Sequence, residues 1–150
     1  MRRFKFRLET VLRHRETIES LREQDFQKVQ GQLRTIEARI AEYTEEYRQT
    51  VAGRPGNAQG ERVNAQAILD RERYLLTLQA TIAREERNAD VVRLVLEEVR
   101  TALVEARRNR EIVSRMRDKD VMQHTALMLK MAQDAMDELA TLRHKPGSKM

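Results

Sequence analysis

From Phe26 to Tyr47 the large apolar residues fall at Phe26, Val29, Leu33, Ile36, Ile40, Tyr43 and Tyr47, with gaps that alternate between three and four. A mean spacing of about 3.5 residues puts them on one seam of a helix that pairs with another helix. The same alternation returns at Ile68, Arg71, Leu75, Leu78, Ile82, Glu85, Ala89, Val92, Leu96, Val99, Leu103, Ala106, Arg110 and Val113. Between the two seams lies Ala52-Gly53-Arg54-Pro55-Gly56-Asn57-Ala58-Gln59-Gly60, with three of the five glycines and one of the two prolines. Proline removes an amide donor and glycine loses the most backbone entropy in a helix, so this cluster stops one.

The expected fold is therefore all-α: two long helices in an antiparallel coiled-coil hairpin, as one domain over residues 1–150. The spacing predicts a helix over about 4–52, a turn over about 53–60 and a helix over about 61–144. Asn64 suits the N-cap of the second helix, with Asn57 as the alternative. Gly31 falls at an outward position where it is tolerated. Upstream, Phe4, Leu8, Val11, Ile18 and Leu21 continue the stripe less strictly, with Arg15 on it. The five-residue step from Leu21 to Phe26 reads as a stutter. A second slip is expected near Arg117, after which the stripe resumes at Val121, Thr125, Met128, Ala132, Ala135, Leu139 and Leu142, and Pro146-Gly147 ends it. Facing positions in the antiparallel pair should have numbers that add to 118 or 111. The second helix is the longer, so its end overhangs with an apolar stripe that points to a partner.

Charged residues make up 35% of the chain and aromatics 4%, with no Trp and no Cys. That supports a seam between helices, not a layered core, and excludes disulfides and thiolate metal sites. No apolar run reaches the length of a membrane span, and none fit for a signal peptide follows the basic opening. Net charge is +5 and uneven. Residues 1–23 hold seven basic and four acidic side chains (+3), and residues 100–119 hold seven and three (+4). Residues 35–46 hold one and four (−3). An antiparallel pair brings the two basic stretches together as a collar for an acidic partner. His14, His124 and His144 are isolated and read as solvated, so no metal site is expected. The Gly-rich turn lacks a phosphate-loop pattern and no cofactor or catalytic residue is read, so the chain is expected not to be an enzyme. The basic run Arg107–Arg117 raises binding of nucleic acid, but acidic residues interrupt it and no leucine ladder follows. A charged helix face or docking patch is the better reading. Arg110 on the seam is expected to snorkel past it. Arg71 and Glu85 either do the same or fix the register.

Three stretches in order resemble the flagellar export protein FliJ family. They are the aromatic-basic opening Phe4-Lys5-Phe6-Arg7-Leu8-Glu9-Thr10-Val11-Leu12, the run Tyr74-Leu75-Leu76-Thr77-Leu78-Gln79-Ala80-Thr81-Ile82, and the closing Met136-Asp137-Glu138-Leu139-Ala140-Thr141-Leu142-Arg143. The resemblance implies a cytoplasmic part of the flagellar type III export apparatus, peripheral to the inner membrane at the flagellar base. It implies a central stalk for the hexameric export ATPase FliI, similar to the gamma subunit of a rotary ATP synthase, that also contacts the export gate FlhA and export chaperones. No nucleic acid and no small-molecule substrate are expected as partners. Carried over, the gate-side contact falls on Tyr74, Leu78, Thr81 and Glu85. The ATPase side is expected on the overhang, at Val121, Met128, Ala132, Ala135, Leu139 and Leu142. Virulence-type secretion stalks share the architecture, and a generic structural coiled coil is the plainest alternative.

Overall fold

The computed structural model describes residues 3–53 and 64–144. It contains two helices, α1 (Glu9–Ala52) and α2 (Ala65–Arg143), of 44 and 79 residues. Among the described residues there is no strand. The all-α expectation and the pairing of two unequal helices are borne out. The turn expected at 53–60, with Pro55 and Asn57, lies mostly outside the described residues, as do Pro146 and Gly147.

The chain forms two compact units, one of residues 21–104 and the other of residues 1–20 with 105–150. In the first unit, α1 and α2 run antiparallel. The cross-helix contacts are Arg71 to Thr50, Tyr74 to Glu46, Gln79 to Tyr47, Glu85 to Arg39, Arg93 to Glu37, and the Arg100 guanidinium over the Phe26 ring at 5.9 Å. Their residue numbers add to between 120 and 130. In the second unit, Leu12 and Val113 share one apolar cluster, Glu19 meets Arg107, and Glu9 meets Arg117, so these pairs add to 125 or 126. The register expected from the seams was 118 or 111; the observed one is about 125, one heptad beyond 118.

One reason for the heptad shift lies at the end of α1. Its last turn carries no basic residue, and the last carbonyls of a helix lack intrahelical donors. Arg71 of α2 supplies them: its Nε donates to the Thr50 carbonyl at 3.0 Å and its Nη2 to the Val51 carbonyl at 2.7 Å. Register 118 would set Arg71 beside Tyr47 instead and away from those carbonyls. At the other helix start Asn64 caps as expected, its Oδ1 accepting from the Gln66 amide at 3.0 Å.

Two further expectations are corrected along α1. The helix begins at Glu9, not near residue 4. Residues 3–6 are non-helical, which lets Phe4 and Phe6, two apart, both turn inward; Phe6 is buried with Leu12 and Val113, and Phe4 packs on the cluster. The five-residue step from Leu21 to Phe26 is not on the covered face either: Leu12, Glu19 and Phe26 stand seven apart on it, with Leu8, Arg15, Ile18 and Glu23 half-covered beside them. Leu12 is 2% exposed, whereas Val11 and Leu21, assigned to the stripe from sequence, are 39% and 54% exposed. Gly31 sits as expected with open space around the position of a Cβ.

Replacing Leu12 with Ala is expected to cost about 2–5 kcal/mol, because a filled layer becomes a cavity. Leu21→Ala should stay within about 0.5 kcal/mol, as surface changes do. Urea unfolding followed by circular dichroism measures both, and equal costs would contradict a register that buries Leu12 and exposes Leu21.

Candidate functional site

Polar residues on the seam set the stage for the candidate surfaces. Glu19 lies on the α1 seam opposite the small Ala106, which leaves its carboxylate room to run outward. There Arg110 donates through Nε and, at 3.5 Å, through Nη2, while Arg107 stands 3.7 Å away. That hydrogen bond holds the Arg110 guanidinium pKa above its already high usual range. Arg110 thus does not merely snorkel past the seam; it is held by a partner on the other helix. Glu85, in the other unit, is 5% exposed and lies 3.7 Å from Arg39 and 3.8 Å from Arg84, with its Oε2 lacking a hydrogen bond. Burying a carboxylate this way contributes little stability but fixes where the helices meet.

The first candidate surface is the end of α2, beyond the point where the non-helical leader of residues 3–6 packs on it. Phe4 rests on His124, ring centroids 5.4 Å apart and tilted by 59°, so His124 is a packed side chain and not a solvated one. The stripe there runs through His124, whereas Thr125, assigned to it from sequence, is exposed. Met128 is half-buried, and every residue from 129 to 144 is exposed. Of the six residues expected on the ATPase side, Val121 is 39% exposed and Met128 is the half-buried one. Ala132, Ala135, Leu139 and Leu142 stand fully uncovered. Leu127, Leu129, Met131 and Met136 are exposed too, and they lie on neighbouring faces. At ~100° per residue the apolar side chains span about half the helix circumference, wider than the single stripe read from sequence. A stripe search at heptad spacing skips these residues because they sit between its positions.

Around this unit the cations of the collar are only partly matched. Arg117 and Arg13 share Glu9, at 3.6 and 4.0 Å, and Lys5 lines the same shallow cleft with Phe4 and Phe6. Arg3, Lys5, Arg7 and Arg108 are exposed, and they have no ion pair among the described residues.

The second candidate surface belongs to the other unit, just after the start of α2. Of the four gate-side residues expected from sequence, Tyr74 is exposed and Thr81 half-buried with its hydroxyl donating to the Thr77 carbonyl at 2.9 Å. Leu78 and Glu85 are buried on the seam against α1. The four are therefore not one accessible patch. Tyr74 donates its hydroxyl to Glu46 across the helix pair, and Gln79 donates to the Tyr47 hydroxyl at 2.9 Å. The Glu46 carboxylate beside it pushes the Tyr74 phenol above its usual range.

Among the described residues no His, Cys, Asp and Glu cluster suits a metal ion, and no helix is long and apolar enough to cross a membrane. What the geometry offers is helical surface: one apolar segment, one basic collar and one aromatic face. A family model described as Flagellar FliJ protein matches residues 4–148. The chain belongs to the FliJ family. That makes it a component of flagellar protein export, in a family with no catalytic activity of its own. The match takes in nearly all of the described chain of this FliJ-family protein, both candidate surfaces included. No curated protein and no solved structure matches it.

A phenol that donates to a carboxylate is stabilised in its neutral form, so this contribution is complete below the ordinary phenol pKa. It is lost as pH rises through the raised value in the folded chain. Nuclear magnetic resonance titration of ring-labelled tyrosine should show one of the three tyrosines ionising late, and Glu46→Gln should return that midpoint toward the ordinary value.

Proposed function

We propose that this FliJ-family chain is the central helical stalk and regulator of the flagellar export ATPase ring, and that it links the ring to the membrane export gate and to export chaperones. The observation that carries the reading is the uncovered end of α2. It presents apolar residues over about half its circumference, so it suits a sleeve that surrounds a helix better than a flat surface that touches one side. Met side chains adapt to changing neighbours, and Ala132 and Ala135 allow close approach. The cations at the leader end form a collar that favours acidic loops around the mouth of such a ring, most strongly at low salt. Catalysis stays with the ATPase, and the stalk acts by contact alone. On this reading the protein works in the cytoplasm, peripherally bound at the inner membrane.

Truncation after Lys119 tests the ATPase side. The shortened chain is expected to keep its paired helices, judged by circular dichroism, and to lose stimulation of the purified export ATPase. Undiminished stimulation would remove the uncovered segment from the mechanism.

Tyr74 is assigned to the gate side, with Thr81 at its edge, while Leu78 and Glu85 serve it from the seam by holding α2 against α1. Tyr74→Ala should weaken binding to the gate's cytoplasmic domain roughly tenfold, in the range of an exposed aromatic contact. Its melting temperature should hold within a few degrees. Loss of gate binding only in step with loss of folding would show that Tyr74 acts through structure.

A further inference from the structure

In the unit of residues 21–104, α2 carries a second heptad pattern on the face turned away from α1. Leu76 stands two positions before the seam residue Leu78, which rotates it ~200° about the helix axis. From there the spacing repeats in both directions, through Leu69, Arg73, Leu76, Ala80, Arg87 and Leu94, on steps of four, three and seven. All six are exposed; Leu76 and Leu94 are 64% and 70% so. Isolated exposed leucines are ordinary on any surface. Leucines at heptad positions opposite a seam that is already filled are a different arrangement, because the pattern has the geometry of a helix–helix contact and no helix of this unit lies there. Over its length in this unit, α1 exposes only Leu21 and Val51 among its large apolar residues, so the pattern is a property of α2.

The arginines decide what fits. Arg73 and Arg87 have no carboxylate and no hydrogen-bond partner for their guanidinium groups among the described residues. Arg84, beside them, has only the 3.8 Å contact with its buried neighbour Glu85. Asp90 stands on the pattern itself, two heptads after Leu76, and is taken by Arg93 at 2.7 Å, while Glu72 and Glu86 stand exposed beside Arg73 and Arg87. Arg73 and Arg87 are two heptads apart, which is ~21 Å along the axis. We propose that this outer stripe of α2, Leu69 to Leu94, is a second coiled-coil seam that receives an acidic amphipathic helix of a partner protein. That helix carries leucine-type side chains at heptad spacing and carboxylates two heptads apart to meet Arg73 and Arg87. A second copy of this chain is the competing occupant, since its own stripe carries the same two arginines flanked by the exposed Glu72 and Glu86, and sedimentation separates the two. This seam is separate from the Tyr74 face and from the uncovered end of α2.

The probe is a designed helical peptide of about four heptads, with leucines on its seam and glutamates placed opposite Arg73 and Arg87, beside a control with lysines in the glutamate positions. Binding to the full chain is followed by fluorescence anisotropy. The glutamate peptide should bind at least ~10-fold tighter than the lysine peptide. The double variant Leu76→Asp with Leu94→Asp should abolish binding, and Arg73→Glu with Arg87→Glu should reverse the peptide preference. Both variants should keep the helicity and melting temperature of the parent, since every altered side chain is exposed. The leucine variant should still stimulate the ATPase, which separates this seam from the stalk reading. Equal binding of the two peptides, or binding indifferent to the substitutions, would overturn the proposal. So would self-association in sedimentation that the leucine variant abolishes, which would assign the stripe to a second copy.

Discussion

Everything in this molecule rests on burial along a line. Two helices meeting at one seam can cover only the residues at the a and d positions, and coverage is thin even there. Ala89 and Leu12 are the most deeply buried side chains, and among the described residues no large side chain is fully enclosed. A globular domain distributes stability through a volume, so losing one side chain is shared among many neighbours. Here each layer depends on the layer before and after it along the axis. The apolar leader matters for that reason: with Phe6 buried beside Leu12 and Val113, the last layer of the seam is closed and not left open to water.

The periodic part of this design was legible in the sequence. The seams 26–47 and 68–113 are the covered positions almost residue for residue, since apolar spacing is a direct record of which face is buried. What was hidden has a common cause: the seam continues through charged residues. Reading only apolar side chains, the eye follows Val11 and Leu21 and finds a stutter, whereas Leu12, Glu19 and Phe26 keep to sevens with Arg15 and Glu23 half-covered beside them. Register was hidden for a related reason. Apolar layers one heptad apart look alike, and the choice falls to groups such as Arg71 whose partner is a backbone carbonyl that carries no sequence signature. For the candidate surfaces, the uncovered end of α2 was foreseeable from chain lengths alone. The burial of Leu78 and Glu85 was foreseeable from their seam positions, though the family resemblance had drawn them toward a partner.

Family membership and geometry inform different parts of the account. The FliJ match over residues 4–148 assigns the chain to flagellar export. The structure supplies what such a component has to offer a partner, which is surface in place of a pocket. Its two units differ in that offer: one ends in uncovered apolar helix with cations behind it, and the other carries an aromatic contact and an arginine-leucine outer face.

The polar seam residues also have a mechanical meaning. A coiled coil built from repeating apolar layers resists being pulled apart at every layer. It resists sliding only where a residue is unlike its equivalents a heptad away. Within one unit those places are Arg71 on the carbonyls that end α1 and Glu85 near Arg39; within the other it is Glu19 between Arg107 and Arg110. They work as detents. Shifting the helices by one notch would re-form the apolar layers but part these pairs, so within each unit they oppose sliding. An element that must pass an axial or twisting load along its length without its two strands creeping past each other needs that opposition.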